Sequence, residues 1–414
     1  VADGHAQRTE TVSAVRHSGR DHRVGHQRDT VEADGALDVE VLAAQLRTQY
    51  DAEVLAKGVL QVEQTTALWA VASQESPELV TRTYAEDGSV WAVWEAPQPD
   101  PRPDILAGAE RCTMQRLGSS DVYVEVRTLP NFSATAFRYE TATRRFGDGW
   151  VVLEHFVPEP ECRPQPGVPQ GTVTEYAPMR SDIFAGTLRG YWLYVPAQYD
   201  PEGPPVSLMV FQDGGMYLSP QAPVPTVLDN LIHAGEMPAI AALFVNPGTF
   251  PDREGRFQNR IAEYHDRTDA YARFLRDEMF PLVAQHVHLR TDRGAHAIAG
   301  ISSGAVCAFN AAWHMPEILG KVLSHCGSFT NINGSHNTWA EIRQAERRPL
   351  RVYLQGSAND IDDVCGSWSL ANQEVAAALK FRGYDYTLDW GRGFHSLAHG
   401  GATLPSALRW LWRA

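Results

Sequence analysis

Five residues, Gly300-Ile301-Ser302-Ser303-Gly304, carry the sharpest chemical signal in this sequence. They follow an apolar run, Ala295-His296-Ala297-Ile298-Ala299, and precede a helix-like stretch over residues 305–313. A serine at the centre of Gly-x-Ser-x-Gly, between a strand and a helix, stands on a tight turn that exposes its hydroxyl. The small flanking residues let the two elements approach closely. Ser302 is therefore the candidate nucleophile, ahead of Ser303. A serine at its ordinary pKa attacks poorly, so a base has to be supplied from downstream, in the order serine, acid, histidine. The strand-like residues 351–355 lead into Gly356-Ser357-Ala358-Asn359-Asp360-Ile361-Asp362-Asp363. There Asp360 is the first choice of acid and Asp362 the reserve. A last strand over residues 384–390 leads into Gly391-Arg392-Gly393-Phe394-His395, which makes His395 the base and His399 its competitor. His395 would take the serine proton and return it to the leaving group, while Asp360 would hold the tautomer. Activity is then expected to fall once the imidazole is protonated.

Such chemistry also needs donors for a developing oxyanion. One is the backbone N–H of Ser303, directly after the nucleophile; the other should come from the loop after an early strand. Val210-Phe211-Gln212-Asp213-Gly214-Gly215-Met216 has that form, and Gly214 is the favoured donor. Trp368, Tyr217 and Phe394, with Phe250, fall in loops near expected strand ends, where they serve either an aromatic acyl group or simple packing. His395 and His399 mimic a metal pair. They lack a helical pattern and a glutamate at metalloprotease spacing, so no metal is expected and no cofactor is needed.

The elements that position these residues are expected in the second half of the chain. Strand-like runs at 190–195, 207–211, 239–245, 295–299, 321–325 and 351–354 alternate with helical stretches, which implies a mainly parallel sheet covered on both faces. The clearest helix is expected over residues 260–287, with Tyr271, Phe274, Leu275, Met279, Leu282 and Val283 on one face. Five prolines between residues 157 and 170 cannot continue a helix or a central strand, so 158–170 reads as a linker before a catalytic domain at 171–414. Before it, residues 38–57 show helical spacing. Short aromatic and β-branched runs at 67–71, 89–94, 122–126, 134–139 and 150–156 then suggest a small β-sandwich-like domain, the whole spanning 38–157. Its Trp69, Trp91, Trp94 and Trp150 are core residues first and a sugar-stacking platform second. Residues 1–37 form a polar leader, rich in His and Arg, without the apolar stretch of a signal peptide.

Composition narrows the function further. The 414 residues are 43% hydrophobic and 21% charged, as in globular chains, and the formal charge of −14 disfavours charge-driven binding to nucleic acid or anionic membranes. No apolar run is long enough to span a bilayer, so a soluble chain with no membrane association is expected. The five cysteines make no CxxC pair. They read as unpaired thiols, with a Cys112–Cys162 bridge as the alternative. The expected partner is a small-molecule ester, and a homo-oligomer is left open.

From Phe184-Ala185-Gly186-Thr187-Leu188-Arg189-Gly190-Tyr191-Trp192-Leu193-Tyr194-Val195-Pro196 onward, the chain resembles the enterochelin esterase-like esterases of the α/β-hydrolase superfamily, relatives of feruloyl esterases and esterase D. Phe211-Gln212-Asp213-Gly214 is similar to the family's early oxyanion loop, residues 300–304 to its elbow, and His325-Cys326-Gly327-Ser328-Phe329 to the strand and loop after it. Ser369-Leu370-Ala371-Asn372-Gln373, His395 and Leu408-Arg409-Trp410-Leu411-Trp412 match its later elements. The resemblance covers about 230 residues and implies an α/β-hydrolase domain, ester hydrolysis through Ser302, Asp360 and His395, and no cofactor. Cys326 stands where a polar residue is expected. Aryl, feruloyl-type or acetylated carbohydrate esters are the expected substrates. Catecholate siderophores of the enterochelin type, or acyl transfer on the same scaffold, are the alternatives. A loaded siderophore is a trianion, and Arg189, Arg253, Arg256 and Arg260 would be the cations to meet it.

Overall fold

Six-residue segments such as Ser207–Gln212 and Ile240–Val245 are buried along their whole length, which only a strand covered on both faces can be. Side chains alternate across such a strand. Leu208 and Val210 join one core, with Leu243, Phe274 and Val306. Met209 and Phe211 join the other, with Phe244, Leu228 and Leu408. One sheet lies between these two cores. The computed structural model describes residues 154–414, except 155 and 252–255, together with Phe132 and the strands between residues 67 and 153.

The sheet has eight strands: β1 (Thr172–Arg180), β2 (Leu188–Val195), β3 (Ser207–Gln212), β4 (Ile240–Val245), β5 (His296–Ile301), β6 (Leu319–His325), β7 (Arg351–Ser357) and β8 (Asp385–Gly391). Their spatial order is β1-β2-β4-β3-β5-β6-β7-β8. The first two pairings are antiparallel, and every pairing from β4 to β8 is parallel. The register aligns Ile301, His325, Gln355 and Asp389 in one row, at which β5 and β6 end while β7 and β8 run two residues further, so their following loops share one edge. Among the described residues the helices are α1 (Val224–His233), α2 (Arg256–Tyr264), α3 (Ala270–Phe274), α4 (Phe280–Val283), α5 (Ser303–His314), α6 (Thr338–Gln344), α7 (Trp368–Phe381), α8 (Ala398–Ala402) and α9 (Leu404–Trp412). This is the α/β architecture expected from the alternating pattern.

Two expectations need correction. The single helix over 260–287 is three helices, α2 to α4, the last two joined by a π turn at Leu275–Met279. The break at 265–269 is held by local hydrogen bonds: Thr268 N donates to Asp266 Oδ1, and Asn310 Nδ2 donates to the carbonyls of Asp266 and Thr268. The π turn meets Pro281, which has no N–H to continue an α ladder. The expected face is nonetheless the buried one, with Tyr271, Phe274, Leu275, Met279 and Val283 all in the core. The second correction is β1, an edge strand that alternation could not reveal because almost every side chain on it is exposed. Pro178 and a register shift between Tyr176 and Met179 blunt that edge.

Before the sheet lie a five-stranded sheet, with strands such as Ala67–Ala72, Ser89–Glu95 and Val122–Thr128, and a four-stranded one that includes Ser133–Glu140 and Arg145–Leu153. The leader at 1–37, the expected helix within 38–57 and the side chains of Cys112, Trp69, Trp91, Trp94 and Trp150 lie outside the described residues. Cys162 is a free thiol that donates to the Gly401 carbonyl at 3.3 Å. The proline-rich stretch holds one 3-10 turn, Pro160–Cys162, and is tied down by Asn230 Nδ2, which donates to the carbonyls of Glu161 and Arg163. Among the described residues, no helix is long and apolar enough to cross a membrane.

Three buried histidines give the fold a pH response. Burial pushes the imidazoles of His265 and His296 down from 6.5 to about 4, and that of His325 to about 3. His296 Nδ1, moreover, accepts the Leu208 N–H at 2.9 Å and must be unprotonated to do so. The unfolded chain takes up these protons near pH 6.5 while the folded chain refuses them until about pH 4 or below. Stability contributed by neutral burial is thus present above pH 6.5 and lost as the pH falls through that window. The thermal midpoint should drop steadily between pH 7 and pH 4.5; a level midpoint across that range would contradict this account.

Candidate active site

Each chemically interesting side chain sits just past the end of a parallel strand, and those strands are neighbours. Gly214 follows β3, Ser302 follows β5, the turn Cys326–Gly327–Ser328 follows β6, Asp360 follows β7 and His395 follows β8. The C-terminal edge of a parallel sheet is where such folds present ligands.

Ser302 stands at φ 58°, ψ −123°, a backbone region where a side chain is strained and glycine is at ease. Asp213 (φ 55°) and Cys326 (φ 46°) likewise stand at positive φ. Three adjacent strands, β3, β5 and β6, therefore all turn through unfavourable backbone at this edge. A Cβ on Gly300 would enter the backbone of Gly304, so this close approach of strand and helix needs glycine. Ser302 N donates to the His325 carbonyl at 2.9 Å and Ser328 N to the Ser302 carbonyl at 3.1 Å, which clamps the turn from both sides.

The hydroxyl of Ser302 lies 2.8 Å from His395 Nε2, and His395 Nδ1 lies 2.6 Å from Asp360 Oδ1. The Asp360 side chain is fully buried and that of His395 about one-fifth exposed. Asp360 Oδ1 also accepts the Ile361 N–H at 2.7 Å. Such a chain can move a proton from the hydroxyl to the imidazole and hold the resulting charge beside a carboxylate. Asp362, the reserve acid, is exposed on a small hairpin, and His399 lies elsewhere, between Gln355 Nε2 at 3.0 Å and the Phe156 ring at 4.6 Å.

The two residues expected to supply oxyanion donors, Ser303 and Gly214, begin the segments after β5 and β3. Ser303 opens α5, where the first N–H groups have no partner inside the helix and carry the positive end of its dipole. Gly214 follows Asp213, and a Cβ there would penetrate the backbone of Phe244 and Val245. This loop is rigid: Asp213 makes a bidentate ion pair with Arg260 (2.8 and 2.6 Å) and donates its N–H to the Tyr264 hydroxyl at 3.1 Å.

The three aromatic residues expected to touch substrate have different fates. Tyr217 is completely buried, packed on Phe211 and bonded through its hydroxyl to His325 Nδ1 at 3.0 Å, so it has no surface left for a ligand. It belongs to the core. Trp368 is 4% exposed, sets its ring edge-on to His395 with centroids 6.0 Å apart, and donates its Nε1–H to Ser328 Oγ at 2.8 Å. Phe394 stays half-buried beside His395. Sequence reasoning missed Ser328, whose Oγ is 2.9 Å from that of Ser302. It also missed Glu154, which accepts the Phe394 N–H at 2.7 Å and so holds the His395 loop. A serine in a Gly-containing turn directly after a central parallel strand was the available signal for Ser328.

Cys326 Sγ lies within 4.8 Å of ligand atoms on Asp360 and His395. Burial, reinforced by the Asp360 carboxylate, pushes its thiol well above the usual range, so it keeps its proton and donates to Gln355 Oε1 at 3.4 Å. A protonated thiol is neither a metal ligand nor a rival nucleophile. Of the arginines considered for a trianionic ligand, Arg189 is buried against Glu263 and Arg260 is taken by Asp213. The side chains of Arg253 and Arg256 lie outside the described residues.

A family model described as "Putative esterase" matches residues 186–411. No curated protein matches the sequence. Among solved structures, the chain is similar to the enterochelin esterase of Shigella flexneri, with 18% identity, a TM-score of 0.58 and coverage of 78% of this chain and 92% of that one. It is similar also to the ferric enterobactin esterase of Salmonella typhimurium, with 19% identity, a TM-score of 0.56 and coverage of 78% and 93%. A CE1 ferulic acid esterase of Anaeromyces mucronatus is 16% identical over 62% of this chain and 95% of that one, with a TM-score of 0.49. At these identities the likeness is one of fold.

Proposed function

The chain belongs to the esterase family whose model spans residues 186–411 and is a carboxylic ester hydrolase, and from that premise we propose that it works as a serine esterase through Ser302, His395 and Asp360. The observation that carries this reading is the unbroken line of hydrogen bonds from Asp360 to His395 to Ser302. Ser302 Oγ attacks the ester carbonyl carbon as its proton passes to His395 Nε2. The carbonyl oxygen takes the negative charge beside the N–H groups of Ser303 and Gly214. His395 then protonates the departing alcohol, leaving an acyl group on Ser302. A water, deprotonated by His395, attacks that acyl group, and Ser302 Oγ leaves with the proton.

For the acyl group, an aryl or feruloyl-type ring would lie on the apolar, half-buried Phe394 beside His395, whose other ring neighbour, Trp368, is buried; an acetyl ester of a carbohydrate would use less of that surface. The siderophore reading is weaker, because Arg189 and Arg260 already hold carboxylates. No metal or organic cofactor enters this scheme.

Incubation with a fluorophosphonate, followed by peptide mass spectrometry, should place one covalent adduct on Ser302, and labelling should be suppressed by methyl ferulate. Label on another residue, or none from a folded protein, would sink the assignment.

A further inference from the structure

Ser328 is 1% exposed, and its hydroxyl sits between two partners, Trp368 Nε1 at 2.8 Å and Ser302 Oγ at 2.9 Å. The direction of every proton in this line follows from chemistry. An indole N–H can only donate, so Ser328 Oγ is its acceptor. In the serine esterase reading, on which this inference rests, Ser302 gives its own proton to His395 Nε2. The Ser328 proton then has one acceptor on this line, the oxygen of Ser302. We infer that Ser328 is a further catalytic residue, a hydroxyl that donates to the nucleophilic oxygen itself and is aimed by the Trp368 N–H.

A donor at that position affects the two half-reactions unequally. In acylation Ser302 Oγ is the attacking atom, and a hydrogen bond to it holds its direction while slightly lowering its basicity. In deacylation the same oxygen is the leaving group. The bond from the acyl carbon to Oγ breaks, the electron pair stays on Oγ, and the proton comes from His395 Nε2. Charge grows on Oγ before that proton arrives, and the Ser328 hydroxyl is already placed to meet it. Hydrogen bonds to charged oxygens are the strong ones. Ser328 therefore assists release of the acyl group more than its capture. Trp368 acts through Ser328 and is a positioning residue.

The test is stopped-flow hydrolysis of p-nitrophenyl acetate together with intact-protein mass spectrometry in the steady state. Ser328→Ala should lower kcat about 10- to 100-fold while kcat/KM stays within about threefold, and acetyl-enzyme should accumulate. Trp368→Phe should show the same pattern more weakly, and the double variant should resemble Ser328→Ala rather than the product of both effects. If Ser328→Ala does not fold by circular dichroism, Trp368→Phe carries the same split and is measured instead. Equal falls in kcat and kcat/KM without acetyl-enzyme, or no change in either, would overturn the role of Ser328. Ser302→Ala separates this from the parent reading. Inactive Ser302→Ala beside an unaltered Ser328→Ala removes only the Ser328 inference, whereas active Ser302→Ala removes both.

Discussion

Ser302→Ala is expected to lower kcat/KM for p-nitrophenyl acetate by at least ~10⁴-fold, with the circular dichroism spectrum unchanged. The size follows from the site. Ser302 carries the hydroxyl bonded to His395 Nε2, and the activating bonds converge on it. Once that oxygen is gone, His395 has nothing to deprotonate but water, and only the N–H groups of Ser303 and Gly214 remain to favour hydrolysis. Removing His395 as well should then cost almost nothing more, because residues that act as a unit are not additive. The neighbouring Ser303→Ala provides the contrast. Ser303 is to contribute its backbone N–H, which alanine retains, so activity should stay within a few-fold. Residual activity of Ser302→Ala above one-hundredth of wild type would mean a different nucleophile.

Asp360→Asn should have the next largest effect, a fall in kcat of about 10³- to 10⁴-fold with little change in fold. Asp360 Oδ1 accepts from His395 Nδ1, which keeps Nε2 unprotonated and facing Ser302. An asparagine amide in the same buried place can donate to Nδ1 instead. The proton then sits on Nε2, and the imidazole can no longer accept from the serine. Asp362→Asn is the matched control, since Asp362 is exposed on the hairpin Asp362–Asp363 with Gly366–Ser367, and should leave kcat within twofold. If Asp362→Asn were the damaging change and Asp360→Asn the harmless one, the acid would have to be reassigned.

How much of this could be read from the residues depends on the range of the interactions involved. The elbow was legible because its requirements are local: two glycines, a serine and flanking elements of different period. Asp360 and His395 followed because loops after parallel strands emerge at one edge, and chain order supplied the pairing. Tyr217 shows the limit. Its position near a strand end suggested access to the site, but which way a loop side chain turns is decided by the cavity available, and the core around Phe211 and His325 had one. Ser328 was missed for the opposite reason. Its turn after a central strand was a weak signal, while its chemistry arises from contact with the elbow serine 26 residues earlier and a helix 40 residues later, neither marked in its own neighbourhood. The break between α2 and α3 was missed because the buried face continues across it, so periodicity saw one helix where Asn310 and Thr268 maintain two.

The seat of His395 has a consequence for how the molecule comes into being. Phe394 is tied to Glu154 across 240 residues, Cys162 reaches Gly401 across 239, and Arg409 of the last helix holds Glu159 and Glu161. None of these bonds can close until residues 394–409 have left the ribosome, and contacts of such long separation are slow to find. The elbow and the core on the Leu208 side of the sheet, which takes no residue from the last helix, can assemble earlier. Esterase activity therefore has to wait until residues 154–162 meet residues 394–409.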